Sequence, residues 1–310
     1  MPRQQRYPSP PVWQDYPVTN GPDGDDRPKF GERVPGYVAP LESRGADLPA
    51  PSISSDGIGA GSGVRPTSRR PSPVFLALIV GAAVSGWALW SGVGPAPVMA
   101  FFFVVFFWVI SLSLHEFAHA YLAYRNGDLS VVHRGYLTLN PLRYTHVMFS
   151  LVLPLVFLIA GGIGLPGGAV FIDRNAIRSR FANSAVSAAG PFTYLAIALI
   201  LAVVLAFRDG SSPFWVTLSF LLFLQVTATV LNLLPVPGLD GFGIVQPYLP
   251  ERVLAAVAPI APFAILGLFA LLWIPAINAL FFSVIIGITS VLGIPAVFVW
   301  SGFDLFRFWV

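Results

Sequence analysis

The 310-residue chain contains no cysteine. Thiolate zinc sites, disulfides and thiol nucleophiles are therefore excluded, and any metal must be held by histidine, aspartate or glutamate. Charge is also scarce. Only 11% of residues are charged and 55% are hydrophobic, with a mean hydropathy of +0.72, whereas a soluble domain carries about 25% charged residues. The chain belongs in a bilayer. No large excess of either sign exists: 18 basic residues face 15 acidic ones. That balance is too even and too scattered for a nucleic-acid surface, so no nucleic-acid partner is expected and the basic residues read better as markers of topology.

Organisation follows from where the apolar runs lie. Residues 1–70 are rich in Pro, Gly, Ser and Asp and have no sustained apolar period, so they could not bury enough surface to order themselves and are expected to form a disordered cytoplasmic tail. Residues 71–310 are expected to form one membrane-embedded domain. Six apolar runs, at about 74–91, 98–120, 187–207, 214–234, 253–273 and 277–300, each approach the roughly 20 residues that a spanning helix needs. A seventh run, Met148 to Phe171, is broken by Pro154 and by a Gly/Pro cluster from Gly161 to Gly168. It reads as a re-entrant or hairpin element, because irregular backbone at membrane depth must be satisfied by protein or by a water-filled cavity. The expected fold class is an all-α polytopic membrane protein with six transmembrane helices and this added element.

Arginines set the orientation. Arg65, Arg69 and Arg70 precede the first run, Arg125, Arg134 and Arg143 follow the second, and Arg174, Arg178 and Arg180 precede the third. All mark the cytoplasmic side. The turn "SGVGPAP" between the first two runs is uncharged, as an outer loop should be.

Within the second run stands "SLSLHEFAHAYLAY". His115 and His119, four residues apart, stack on one face of a helix and could chelate one ion, with Glu116 about 100° around the helix and able to act beside it. Ionisable groups at bilayer depth need a partner, a cavity or a metal. Two histidines leave one protein position of a tetrahedral zinc site to fill. Asp128, His133, His146 and Asp173 fall in polar, basic loops, and Asp209 lies in the turn on the opposite side. Asp240 follows the fourth run in "NLLPVPGLDG", where Pro235, Pro237, Gly238 and Gly241 end the helix. It either caps that turn or turns its carboxylate into the bundle. Parity bears on the choice: a Met148 run that re-enters and leaves on one side brings His115 and Asp240 to the same leaflet, whereas a full crossing separates them.

The segments "HEFAHA", "LTLNPLRY", "SAAGPFTYLAIA" and "NLLPVPGLDG" occur in the order in which they stand in site-2 proteases, the zinc intramembrane metalloproteases. The resemblance covers about residues 98–250. It implies one Zn2+ held by His115, His119 and Asp240, with Glu116 as catalytic base, in a six-span bundle open toward the cytoplasm. Asn232 stands where the family has the asparagine credited with holding the scissile peptide or oxyanion, while Asn140 in "TLNP" reads as a turn residue. Two departures are visible. Tyr194 stands where the family often has asparagine, and Asp240 is followed by Gly241, Phe242 and Gly243 rather than by two glycines. No connecting segment is long enough for a PDZ or CBS domain, so the chain looks like a minimal form.

The expected function is zinc-dependent endopeptidase action on single-span membrane proteins, in or near their transmembrane segments, at a bacterial plasma membrane. The "GGIGLPGGAVF" segment could hold an unwound substrate as an added strand or could simply form a tight turn. A zinc-binding scaffold without catalysis and an ion transporter are the competing readings. Intact Glu116 opposes the first. Against the second, the ionisable groups cluster at one end and no internal repeat is evident.

Overall fold

The computed structural model describes residues 71–144, 156 and 170–309, and its regular structure there is helical throughout, with no strand among the described residues. The expected tail and nearly all of the Met148–Phe171 element lie outside them.

Helix α1 (Pro73–Ser91) starts where Ser72 accepts the Phe75 N–H at 3.1 Å with Pro73 in the first turn, and stops at Gly92, whose φ of 70° lies in the left-handed region. These are strong start and stop signals. Helix α2 (Ala96–Arg125) runs 30 residues, about 45 Å at 1.5 Å per residue. That exceeds the roughly 30 Å hydrocarbon core, so its last turns leave the apolar layer. A short helix, α3 (Ser130–His133), and two 3-10 turns follow.

Helix α4 (Arg180–Leu205) begins seven residues before the expected third run, because Ser179 caps it by accepting the Ala182 N–H at 3.1 Å. The apolar run marks the part of this helix that suits lipid; the cap marks where the backbone turns helical. Helix α5 (Pro213–Leu233) ends just before Pro235. It is the central element: 89% of its most apolar 18-residue window is buried inside the protein. Trp215, Leu218, Phe220, Leu221, Leu222 and Leu224 anchor the main core, which also takes Trp108 from α2 and Tyr194 from α4. The short helix α6 (Asp240–Val245) turns back from the end of α5.

The last two expected spans are not straight. The fifth consists of α7 (Glu251–Val257) and α8 (Ala261–Leu272), bent by 66°, and the sixth of α9 (Pro275–Val291) and α10 (Ala296–Phe306), bent by 114°. Among the described residues, four helices are thus long and apolar enough to cross a membrane, or up to six if each bent pair counts as one span. The breaks have local causes. Pro259 lacks the N–H that would continue α7, and the second break pairs Gly293, at φ 83°, with Pro295.

A smaller core lies at the C-terminal end of α2, where Ala120 and Ala123 meet Val131, Tyr136, Leu137, Tyr144, Ile177 and Val186. It clamps the loops on either side of the undescribed stretch against α2 and the start of α4.

Candidate metal centre

Three elements converge on one point. Helix α2 supplies His115, Glu116 and His119, all buried, and α6 supplies Asp240 at its first residue. Helix α4 supplies the wall. Gly190 lies so close to both imidazoles that a side-chain carbon there would overlap His119 Nε2 and His115 Cε1. Pro191, next in the chain, cannot donate to the Ser187 carbonyl one turn earlier, which opens the helix beside the site.

Asp240 is placed by the end of α5. Gly241 approaches the Leu233 and Leu234 carbonyls more closely than any residue with a Cβ could. Ser184 Oγ of α4 donates to the Ile244 carbonyl at 2.6 Å and ties down the other end of α6.

The distances decide what this cluster can hold. His115 Nε2 and His119 Nε2 are 3.1 Å apart, His115 Nε2 is 3.4 Å from Asp240 Oδ2, and His119 Nε2 is 3.3 Å from Asp240 Oδ1. A tetrahedron with ligand distances of about 2.0–2.1 Å has edges of about 3.3–3.4 Å. The three side chains therefore stand close to the spacing that a zinc ion needs, with the two histidines facing different oxygens of Asp240, and they are the one such group found among the described residues. His119 Nδ1 donates to the Val186 carbonyl at 2.7 Å, which turns Nε2 toward its neighbours, and the buried Asp240 Oδ2 accepts no hydrogen bond. Groups crowded this closely need a cation between them, a proton shared by His119 and Asp240 or a metal ion. The residues fit zinc, and the His119–Val186 bond is the kind of outer contact that orients a metal-binding imidazole.

Electrostatics point the same way for Asp240. Burial pushes its carboxyl up, but the charge and hydrogen bond of His119, with His115 and the Arg174 guanidinium behind it, outweigh that and hold it below the ordinary carboxylate range. It stays ionised, as a ligand must. Glu116 stands beside this trio rather than in it. Its Oε1 is 3.7 Å from His115 Nε2, and its Oε2 accepts the Val170 N–H at 3.0 Å. One oxygen is pinned by main chain and the other faces the centre.

The remaining sequence candidates separate clearly. Asn232 is buried near the end of α5, with its Nδ2 donating back to the Ala228 carbonyl of its own helix at 2.9 Å. Asn140 Oδ1 accepts the Leu142 N–H at 3.0 Å, the turn role read from "TLNP". Asp128 is a loop tie, accepting the Ser130 and Asp173 N–H groups at 2.9 Å each, and Asp209 accepts from the Trp215 indole. His146 lies outside the described residues.

Several participants had no site role assigned from the sequence, although Tyr194 stood out there as a departure. Arg174, noted only as a topology marker, donates to Ser187 Oγ at 3.0 Å and lends its charge to Asp240; burial pulls its own pKa down and Asp240 pulls it back up. Tyr144 donates to the Ser113 carbonyl at 3.1 Å, and burial pushes its phenol up, so it stays a protonated donor. Tyr194 stacks on the His115 ring at 4.5 Å between centroids and on Trp108 at 6.0 Å.

Comparison with known proteins adds an independent line. The chain is 44% identical over 248 residues to a protein of Mycolicibacterium smegmatis provisionally named zinc metalloprotease Rip2, a match covering 78% of this chain and 95% of that one. It is 43% identical over the same extent to the protein of that name in Mycobacterium tuberculosis. A Bacillus subtilis protein provisionally named zinc metalloprotease YwhC is 33% identical over 162 residues, 47% of this chain and 69% of the relative. No family model and no solved structure matches the chain.

Proposed function

Because the chain belongs to the site-2 protease family of zinc metalloproteases, we propose that it is an intramembrane endopeptidase that cuts single-span membrane proteins within or near their transmembrane segments. The observation that carries this reading is the His115–His119–Asp240 cluster, with 3.1–3.4 Å between ligand atoms and Glu116 alongside, built into a 30-residue apolar helix. His119 lies six residues before the end of α2, about 9 Å along the axis. That depth supports a site near one interface, reached by water from the arginine-rich side.

His115, His119 and Asp240 would hold the ion. When bound, zinc would acidify a water molecule and polarise a carbonyl. The protein's own groups do the rest. Glu116, with Oε2 fixed by Val170, takes the proton of the attacking water through Oε1. As the new carbon–oxygen bond forms, the carbonyl π pair moves onto its oxygen. On collapse the carbon–nitrogen bond breaks, and the nitrogen keeps the pair and takes the proton from Glu116. A transmembrane helix hides its carbonyls in hydrogen bonds to the residue four positions on, so the substrate has to unwind first, which favours clients with Gly, Pro or polar residues in the span.

The multi-pass arrangement, the cytoplasmic N-terminus and a bacterial plasma membrane location belong to the same proposal. It is tested by comparing the membrane proteomes of cells carrying wild type and Glu116→Gln. Single-span proteins should accumulate at full length in the mutant, and near-stoichiometric zinc should copurify with both forms. An unchanged proteome, or a purified protein without zinc, would remove the peptidase reading.

A further inference from the structure

An amide that is cut by water needs a donor for the oxygen that becomes negative, and that donor has to be uncommitted before the substrate arrives. The buried donors around this centre can be sorted on that criterion. The Tyr144 hydroxyl is spent on the Ser113 carbonyl and the Asn232 amide on the Ala228 carbonyl. The guanidinium of Arg174 is spent in part on Ser187. Two donors remain, the Trp108 indole N–H and the Tyr194 hydroxyl, and of their rings it is Tyr194 that stacks on His115. Tyr194 is fully buried, at 0% exposure, and its Oη has no hydrogen-bond partner. Leaving such a group unpaired is costly, so its persistence calls for a ligand.

The direction of the side chain follows from the helix. Long side chains on an α-helix point back over the preceding turn, toward the N-terminus. For Tyr194 that turn is Gly190, which has no side chain and itself abuts His115 and His119. That preference turns the ring toward the Gly190 turn, and the ring stacks on His115 with 4.5 Å between centroids. Because His115 is one of the three clustered side chains, that stack puts Tyr194 at the edge of the centre. Trp108 stacks on Tyr194 from the bundle side at an interplanar angle of 8° and holds its plane.

We propose that the Tyr194 hydroxyl is the donor that binds the substrate's scissile carbonyl oxygen and holds it as negative charge develops, a catalytic role for a residue at which this chain departs from its family's usual asparagine. The inference rests on the peptidase reading and deepens it. In the addition step the π pair arrives on the carbonyl oxygen and the Tyr194 O–H···O bond shortens onto it. No proton is transferred through this contact, and on collapse the pair returns as the carbonyl reforms and the carbon–nitrogen bond breaks.

The test uses full-length detergent-solubilised protein, fluorescein-labelled casein as an unfolded substrate, and an N-phosphoryl Leu-Trp phosphoramidate as a tetrahedral oxyanion mimic. Tyr194→Phe keeps both ring stacks and removes only the hydroxyl. It should retain wild-type zinc content and KM, lose about 10²–10³-fold in kcat, and bind the phosphoramidate more weakly by a comparable factor. Tyr194→Leu, which removes the stack on His115, should in addition lower the affinity for zinc. Unchanged kcat and unchanged phosphoramidate affinity in Tyr194→Phe would overturn the inference, and so would loss of zinc from that variant, since the hydroxyl would then serve only the metal's surroundings. Wild-type protein inert toward casein and without accumulating clients in Glu116→Gln cells would instead sink the peptidase reading beneath it.

Discussion

His119 and Glu116 show how one helical turn divides labour between holding an ion and moving a proton. With Nδ1 committed to Val186 and Nε2 facing Asp240, His119 cannot be replaced by another donor from its own helix. His119→Ala should drop bound zinc from about one equivalent to near none by elemental analysis, without loss of helix by circular dichroism. Glu116→Gln should keep the zinc and lose about 10²–10⁴-fold in turnover, the range for a missing general base. The pair of imidazoles was legible because helical periodicity alone puts residues 115 and 119 on one face, whereas the letters around Asp240 left a turn cap and a ligand both open, and only the family resemblance pointed to the ligand. Other parts of the site were not legible. Nothing in the letters around Asn232 says that its amide folds back on Ala228, and nothing around Tyr194 says that its hydroxyl is unpaired, since both depend on what a rotamer meets in three dimensions.

At the scale of elements, the contact between α2 and α4 is set by a single missing methyl group. Gly190→Val would drive a side chain into both imidazoles. Overpacking of this kind typically costs about 1–3 kcal/mol. The variant should lose zinc affinity and melt at lower temperature, whereas Gly287→Val on α9, which has open space around it, should do neither; thermal scans with a zinc assay would show the difference. Helix existence was readable from apolar run length for the first four spans. The breaks in the fifth and sixth were not anticipated, although Pro259, Gly293 and Pro295 were in plain view, because an apolar run scores the solvent that a segment prefers and says nothing about whether its backbone stays straight.

At the scale of the molecule, the absence of cysteine makes topology directly measurable. Leu129, past the end of α2, and Ser211, in the turn before α5, are both exposed. The arginine distribution predicts that they lie on opposite faces of the membrane. In intact cells a membrane-impermeant maleimide should label Ser211→Cys, and it should label Leu129→Cys only after lysis. The reverse pattern would place the metal centre on the outer side and exclude cytoplasmic water as the source of the nucleophile.

Helix α5, wrapped by its neighbours and carrying Gln225, Thr227, Thr229 and Asn232 along its buried surface, has an implication for biogenesis. As a lone segment leaving the translocon it would meet lipid with those polar groups uncovered. Its shelter comes from both directions along the polypeptide, α2 and α4 being made before it and α9 and α10 after it. Insertion is therefore a collective event, in which α5 waits for the two helices made last before it is comfortable in the bilayer.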